Sequence, residues 1–197
     1  KALLEAGADP NVKLACHYED IKDRYLLEWA LFNWPGDGLM LACLEAKPRI
    51  AYLSEHLNIA LIMAVARGHT EIVTTLLEVS GINVNHADND GCTALHKAAW
   101  HGHTEIETAL LRKPEINVNA VDGEGNTALV LLVYRGHTAM VRALLFAPGI
   151  DVNHVGYNDE TALTLAAKHG HKGVVTAINC HLFFILGKSS LWTNDCG

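Results

Sequence analysis

Twelve histidines in 197 residues are the first side chains to question for chemistry. His101-Gly102-His103 and His169-Gly170-His171 have the form of metal-ligand pairs. No cysteine or carboxylate recurs beside them at the spacing a zinc site needs, so no metal is expected. Asp88-Asn89-Asp90-Gly91 sets out oxygen atoms as the start of a calcium loop does. Such a loop also needs a bidentate Glu at its twelfth position and flanking helices of its own, whereas this stretch reads as a hairpin turn. Cys92 stands on the same turn without a fixed His partner and is expected to be an exposed spare thiol. There is no glycine-rich phosphate loop, no G-x-S-x-G elbow and no HExxH pair. The chain is therefore read as no enzyme, with no catalytic residues and no cofactor.

Composition narrows the class further. A net charge of -7 and a pI near 5.9 argue against nucleic acid, because phosphate contact needs a basic field. The five cysteines, Cys16, Cys43, Cys92, Cys180 and Cys196, show no paired spacing, which points to a reducing compartment and a cytoplasmic location. The longest apolar run, Val174 to Leu186, is interrupted by Asn179 and His181 and is well short of the ~20 residues that cross a bilayer. No membrane insertion is expected.

What positions the histidines is a repeat. TALHKAAWHGH begins at Thr93, TALVLLVYRGH at Thr127 and TALTLAAKHGH at Thr161, with a worn copy, IALIMAVARGH, at Ile59. The Gly-His pairs fall at Gly68, Gly102, Gly136 and Gly170, 34 residues apart. A fixed period of this size signals stacked structural units. In each unit Thr caps a short first helix, small residues such as Ala98 and Ala99 permit close approach, and Gly breaks the helix. A second helix follows with one apolar face, as at Ile106, Leu110 and Leu111. A polar loop with an Asp-x-x-Gly turn, as at Asp122 to Gly125, then leads to the next Thr. One helix pair cannot bury its own apolar face, so stacking closes the core.

The phrases T-A-L-H, G-H, L-L, V-N and D-x-x-G, in that order, resemble the ankyrin repeat. Ankyrin units are usually about 33 residues, and the extra residue falls in the loop after the second helix, where insertion costs little. Leu4 to Asn11 is seven steps, but Leu77 to Asn85, Leu111 to Asn119 and Leu145 to Asn153 are eight. The resemblance implies an all-α ankyrin-repeat solenoid of stacked helix-turn-helix units with hairpin-like loops. It is clear from about Ile59 to Ile178.

Taken in order, residues 1–12 read as the end of a truncated N-terminal repeat, since KALLEAGADPNV has no first helix and no Met before it. That beginning reads as a fragment of a longer array or protein. Residues 13–58 read as a divergent repeat with enlarged loops, including an irregular hairpin over Lys47 to Asn58. Regular repeats occupy 59–180, and 181–197 form a non-repeat extension that either caps the array or covers a surface others would cover. Within the regular part, Leu132 and Val133 stand where small Ala is expected, so they should open the packing locally or fill a gap. The last finger, HVGYNDET, has Gly156 in place of Asp and Asp159 in place of Gly, which puts its turn geometry in question.

The family resemblance also places a binding surface. Its members make contacts through finger tips and through the two residues before each Gly-His. Here those pairs are Ala66-Arg67, Trp100-His101, Tyr134-Arg135 and Lys168-His169, a cationic and aromatic row along the concave side. The tips, with Asn89, Asp90, Gly123, Glu124, Asn158 and Asp159, are polar to acidic. Trp100, Tyr134 and Arg135 are expected to anchor another protein's extended segment or helix, with Arg67 and Lys168 pairing to acidic residues. The competing reading is that variable solvated positions fall this way by chance. The resemblance assigns His69, His103, His137 and His171 to the interhelical turn and His96 to a structural place. It gives Asn85, Asn119 and Asn153 a hairpin-holding role ahead of a role as asparaginyl hydroxylation substrates. Three functional readings stand: a protein-interaction adaptor or targeting surface, a regulatory or docking part of a larger enzyme, and an intramolecular spacer.

Overall fold

The computed structural model describes residues 54–185, which divide between Asn83 and Val84 into two compact units. In the first, α1 (Ser54–Arg67) and α2 (Thr70–Leu77) pack together. Leu57, Ala60, Leu61, Ala64 and Val65 recur at helical spacing on the buried side of α1, facing Ile72, Val73 and Leu76 on α2. The helix begins at Ser54, ahead of the repeat phrase, so the last residues of the expected irregular hairpin are helical instead. Asn58 is buried and its Oδ1 accepts from the Asn83 N–H at 2.8 Å. The readings made for 1–53 and for the end of the chain beyond 185 lie outside the described residues.

The second unit holds three helix pairs: α3 (Ala94–His101) with α4 (Thr104–Leu111), α5 (Ala128–Arg135) with α6 (Thr138–Leu145), and α7 (Ala162–Lys168) with α8 (Lys172–Ile185). First helices pack on first helices, α3 on α5 on α7, and second helices on second, α4 on α6 on α8. The unit is an all-α stack of helix-turn-helix layers. Only isolated bridges, Ala87 to Thr93, Val121 to Thr127 and Val155 to Thr161, close the loops among the described residues. Because α5 is flanked on both sides, its residues Ala128 to Val133 are all buried. Leu132 and Val133 are fully enclosed there, so their bulk is taken up inside the stack. On α8 the helix runs past 180 to Ile185, and Phe184 and Ile185 are exposed.

In the second unit each first helix opens at a threonine in extended conformation. Thr127 and Thr161 accept from the Val130 and Thr164 N–H groups at 3.4 and 3.3 Å. At Thr93 a histidine closes the cap: His96 Nδ1 accepts from the Thr93 N–H at 3.1 Å. Each first helix is followed by a left-handed glycine, Gly102 at φ 76°, Gly136 at 73° and Gly170 at 71°. Conformation is half of the reason. A Cβ on Gly102 would lie 2.8 Å from the ring of His137 in the next layer, and one on Gly136 the same distance from His171.

The fingers keep one geometry with different residues. Asp88 Oδ1 accepts from the Asp90 and Cys92 N–H groups, and Asp122 Oδ1 from those of Glu124 and Asn126, at 2.8–3.0 Å. One oxygen of the Asp88 carboxylate is therefore committed to its own turn, and the other meets Lys97 Nζ at 2.8 Å. In the third finger Asp159 takes the left-handed place of glycine at φ 58°, which aspartate tolerates. The chain there forms a short 3-10 turn, Tyr157–Asp159, and the Gly156 N–H still reaches the Glu160 carbonyl at 3.0 Å. The turn questioned on sequence grounds is therefore made. Cys92 is half-buried, not the exposed thiol expected, and Cys180 is disulfide-bonded, which the reading of thiols in a reducing compartment does not anticipate.

Candidate functional site

The side-by-side packing of α3, α5 and α7 brings their last residues into one row. Trp100 and Tyr134 are 39% and 49% exposed, far more than the neighbours that build the core. Their rings are nearly parallel, 8° apart with centroids 6.2 Å from each other. Tyr134 in turn meets His169 edge-on at 5.3 Å and 72°. Three layers thus share one aromatic ladder, Trp100–Tyr134–His169. At the far end His171 extends it, stacked on His169 at 5.9 Å, and in the first of the three layers His101 makes a separate stack on His103 at 5.7 Å.

Arg135 does not stand apart from this ladder. Its guanidinium carbon lies 4.7 Å from the centroid of the Trp100 ring, and its Nε–H donates to the Trp100 carbonyl at 3.1 Å. Such a cation–π contact is worth about 0.5–1 kcal/mol at an exposed site. No carboxylate among the described residues pairs with Arg135. The arrangement presents a planar donor group, already oriented, against the Trp100 face. Burial and the positive charge of neighbours, His103, Arg135 and Lys97, lower the His101 pKa below its ordinary value, so this end of the row carries less charge than its residue types imply.

The other sequence-derived candidates fall in different surroundings. Lys168 is bonded to Glu160 at 2.8 Å, so the row is less cationic than a count of basic residues implies. Arg67 is exposed at the end of α1, in the first unit. Asn89, Asp90 and Glu124 are exposed at finger tips. The Asp90 carbonyl accepts from the Gly123 N–H at 2.8 Å, which joins two neighbouring fingers through their backbones. The asparagines reach further than their own hairpins. Asn85 is bonded to the Glu115 carbonyl and the Asn117 N–H, both at 2.7 Å. Asn119 holds the Gly149 carbonyl and the Asp151 N–H in the same way at 2.7 and 2.8 Å.

Three features escaped the sequence reading. His96 is fully buried and bridges layers, its Nε2–H donating to the Asn126 carbonyl at 3.1 Å. His154 Nε2–H donates to the Gly125 carbonyl at 2.8 Å from the other side. Glu107 is buried on α4, where Ile106, Leu110 and Leu111 were expected to form the apolar face; Leu111 is only half-buried. The 34-residue register shows the Glu107 anomaly, because its counterparts Val73, Val141 and Val175 are all valine. No group of three or more His, Cys, Asp or Glu among the described residues is placed to hold a metal ion. No helix among them is long and apolar enough to cross a membrane.

A family model described as ankyrin repeats in three copies matches residues 1–122 and 108–181. Comparison with curated proteins gives no match.

Proposed function

The chain belongs to the ankyrin-repeat family, and on that premise we propose that it binds another protein through the exposed face where α3, α5 and α7 end. Ankyrin repeats are in general protein-interaction modules, and the coarse reading follows from membership. The finer one rests on a single observation: Trp100, Tyr134 and His169 form a continuous exposed ladder, with the Arg135 guanidinium held against its first ring. Trp, Tyr and Arg dominate interface energies when a partner desolvates them. The packed helices beneath fix these side chains before binding, so less ordering cost falls on this side of the complex.

In this reading a helix or extended segment lies along the ladder. An acidic residue of the partner meets the remaining N–H groups of Arg135, and a second one competes with Glu160 for Lys168. The tips bearing Asn89, Asp90 and Glu124 line one side of the contact. The test uses the full chain as bait in quantitative affinity purification, beside a Trp100→Ala/Arg135→Ala double variant. Partners that the wild type enriches should drop by tenfold or more with the variant, which should melt at nearly the same temperature. Equal enrichment by both proteins removes this face from consideration.

A further inference from the structure

Glu107 occupies a place built for a hydrocarbon. The 34-residue register puts it in one column with Val73 and Val141, both fully buried, and with Val175. Its own exposure is 0%. Both carboxyl oxygens are enclosed, and neither has a hydrogen-bond partner. The other buried polar side chains among the described residues are Asn58, Thr93, His96, Asn126 and Thr127, and every one of them is bonded. Buried polar groups are rarely left in this state, and an ionised one least of all.

We propose that Glu107 is a proton-controlled latch on α4: its carboxyl is protonated while α4 lies packed on α3 and α6, and loss of that proton to solvent is coupled to α4 leaving them. The alternative, a carboxylate that ionises in place, would put an unpaired charge among Ile106, Leu110 and the apolar faces of two helices. The titratable groups on the elements packed against α4 are His96, Lys97 and His101 on α3, and His137 and Arg142 at α6. None of them offsets the cost, since burial is the one cause that pushes the Glu107 carboxyl up, to about 8.

The sign follows. The pKa is raised in the fold, so the stabilisation is fully present below 4.5, the ordinary value. It is lost as pH rises from there to about 8 and changes no further above that. Over that window the open form of α4 gains about tenfold in population per pH unit. Opening also uncovers α3, which carries Trp100 and His101, so partner capture would weaken as pH rises. That consequence rests on the binding face proposed above; the latch does not.

Hydrogen exchange on the full chain separates the two. Amide protection over Ile106 to Leu111, corrected for intrinsic rates, would be followed between pH 5.5 and 8.5 for the wild type, Glu107→Gln and Glu107→Val. Other titrating groups are common to all three proteins and cancel in the ratios. The expected result is that wild-type protection falls about tenfold per pH unit relative to either variant, toward a plateau near pH 8. Glu107→Val should be the most protected throughout. A wild-type to variant ratio that stays constant over the range overturns the proposal, whatever the partner-binding result. So does a Glu107 carboxyl carbon that titrates near 4.5, followed by NMR, with α4 still closed.

Discussion

The layers that begin at Thr93 and Thr161 both grip the middle layer, and they do so with different residues. Some contacts repeat with the period. Asn85 and Asn119 make the same pair of bonds to the following loop, and Gly102 and Gly136 receive the same histidine ring from the following layer. The histidine bridge to the middle finger does not repeat. From the Thr93 side it comes from a helix, through His96 to the Asn126 carbonyl; from the Thr161 side it comes from a finger, through His154 to the Gly125 carbonyl. In the middle layer itself the place of His96 is taken by Val130, which can make no such bond. The backbone of the repeat is thus set by strictly periodic residues, while the polar links between layers are met by whatever side chain reaches.

That comparison makes unequal predictions for two similar bonds. His96→Ala removes a buried ring, its bond to the next layer and the closure of the Thr93 cap, and should cost about 3 kcal/mol. His154→Ala removes one bond from a half-buried ring and should cost about 1 kcal/mol. Urea unfolding of the two variants, compared at constant m-value, measures both. Equal losses would mean that burial does not distinguish the two clamps. A pH signature accompanies the larger effect. Burial lowers the His96 pKa below 6.5, so its stabilisation is complete above 6.5 and is lost as pH falls toward the folded value. Over that acid window the wild type should lose stability more steeply than His96→Ala.

The glycines should behave the opposite way, alike in both layers. Gly102→Ala and Gly136→Ala each place a Cβ about 2.8 Å from an imidazole at a left-handed φ. Strain and crowding together should cost each about 2 kcal/mol. Replacing the facing ring as well, as in Gly102→Ala/His137→Ala, should return less than the whole loss, because the φ penalty stays. Full recovery in the double variant would assign the entire effect to the ring contact.

What was legible from residues alone follows the same division. Thr at each helix start, Gly-His at each turn and the left-handed glycines are local, so their chemistry can be read within a few positions. The family match over residues 1–122 and 108–181 accords with that reading. The contacts that shape the candidate face are not local: Arg135 lies over Trp100 and bonds its carbonyl from the next layer. Glu107 was hidden for another reason. TEIETALL reads as an ordinary amphipathic helix with its acids outward, and only alignment with the valines of the other layers marks one acid as misplaced. The third finger misled in the reverse sense, since Asp159 adopts the backbone conformation that Gly91 and Gly125 hold elsewhere.

The smallest expected difference lies between two ion pairs of equal length. Lys97 Nζ meets Asp88 Oδ2 and Lys168 Nζ meets Glu160 Oε1, both at 2.8 Å. The Lys97 side chain is 22% exposed and the Lys168 side chain 61%. Although burial raises the Asp88 pKa, its bonds to Lys97 and to the Cys92 and Asp90 N–H groups outweigh that and leave it lowered. Lys97→Met should therefore cost about 1 kcal/mol and Lys168→Met only about 0.3 kcal/mol, with the second loss vanishing in about 1 M salt. A residue that its own fold holds so loosely can exchange its carboxylate at little cost. Lys168→Met should thus weaken partner capture more than it weakens the fold. An equal and small effect on both would confine recognition to the aromatic end of the row, at Trp100 and Tyr134.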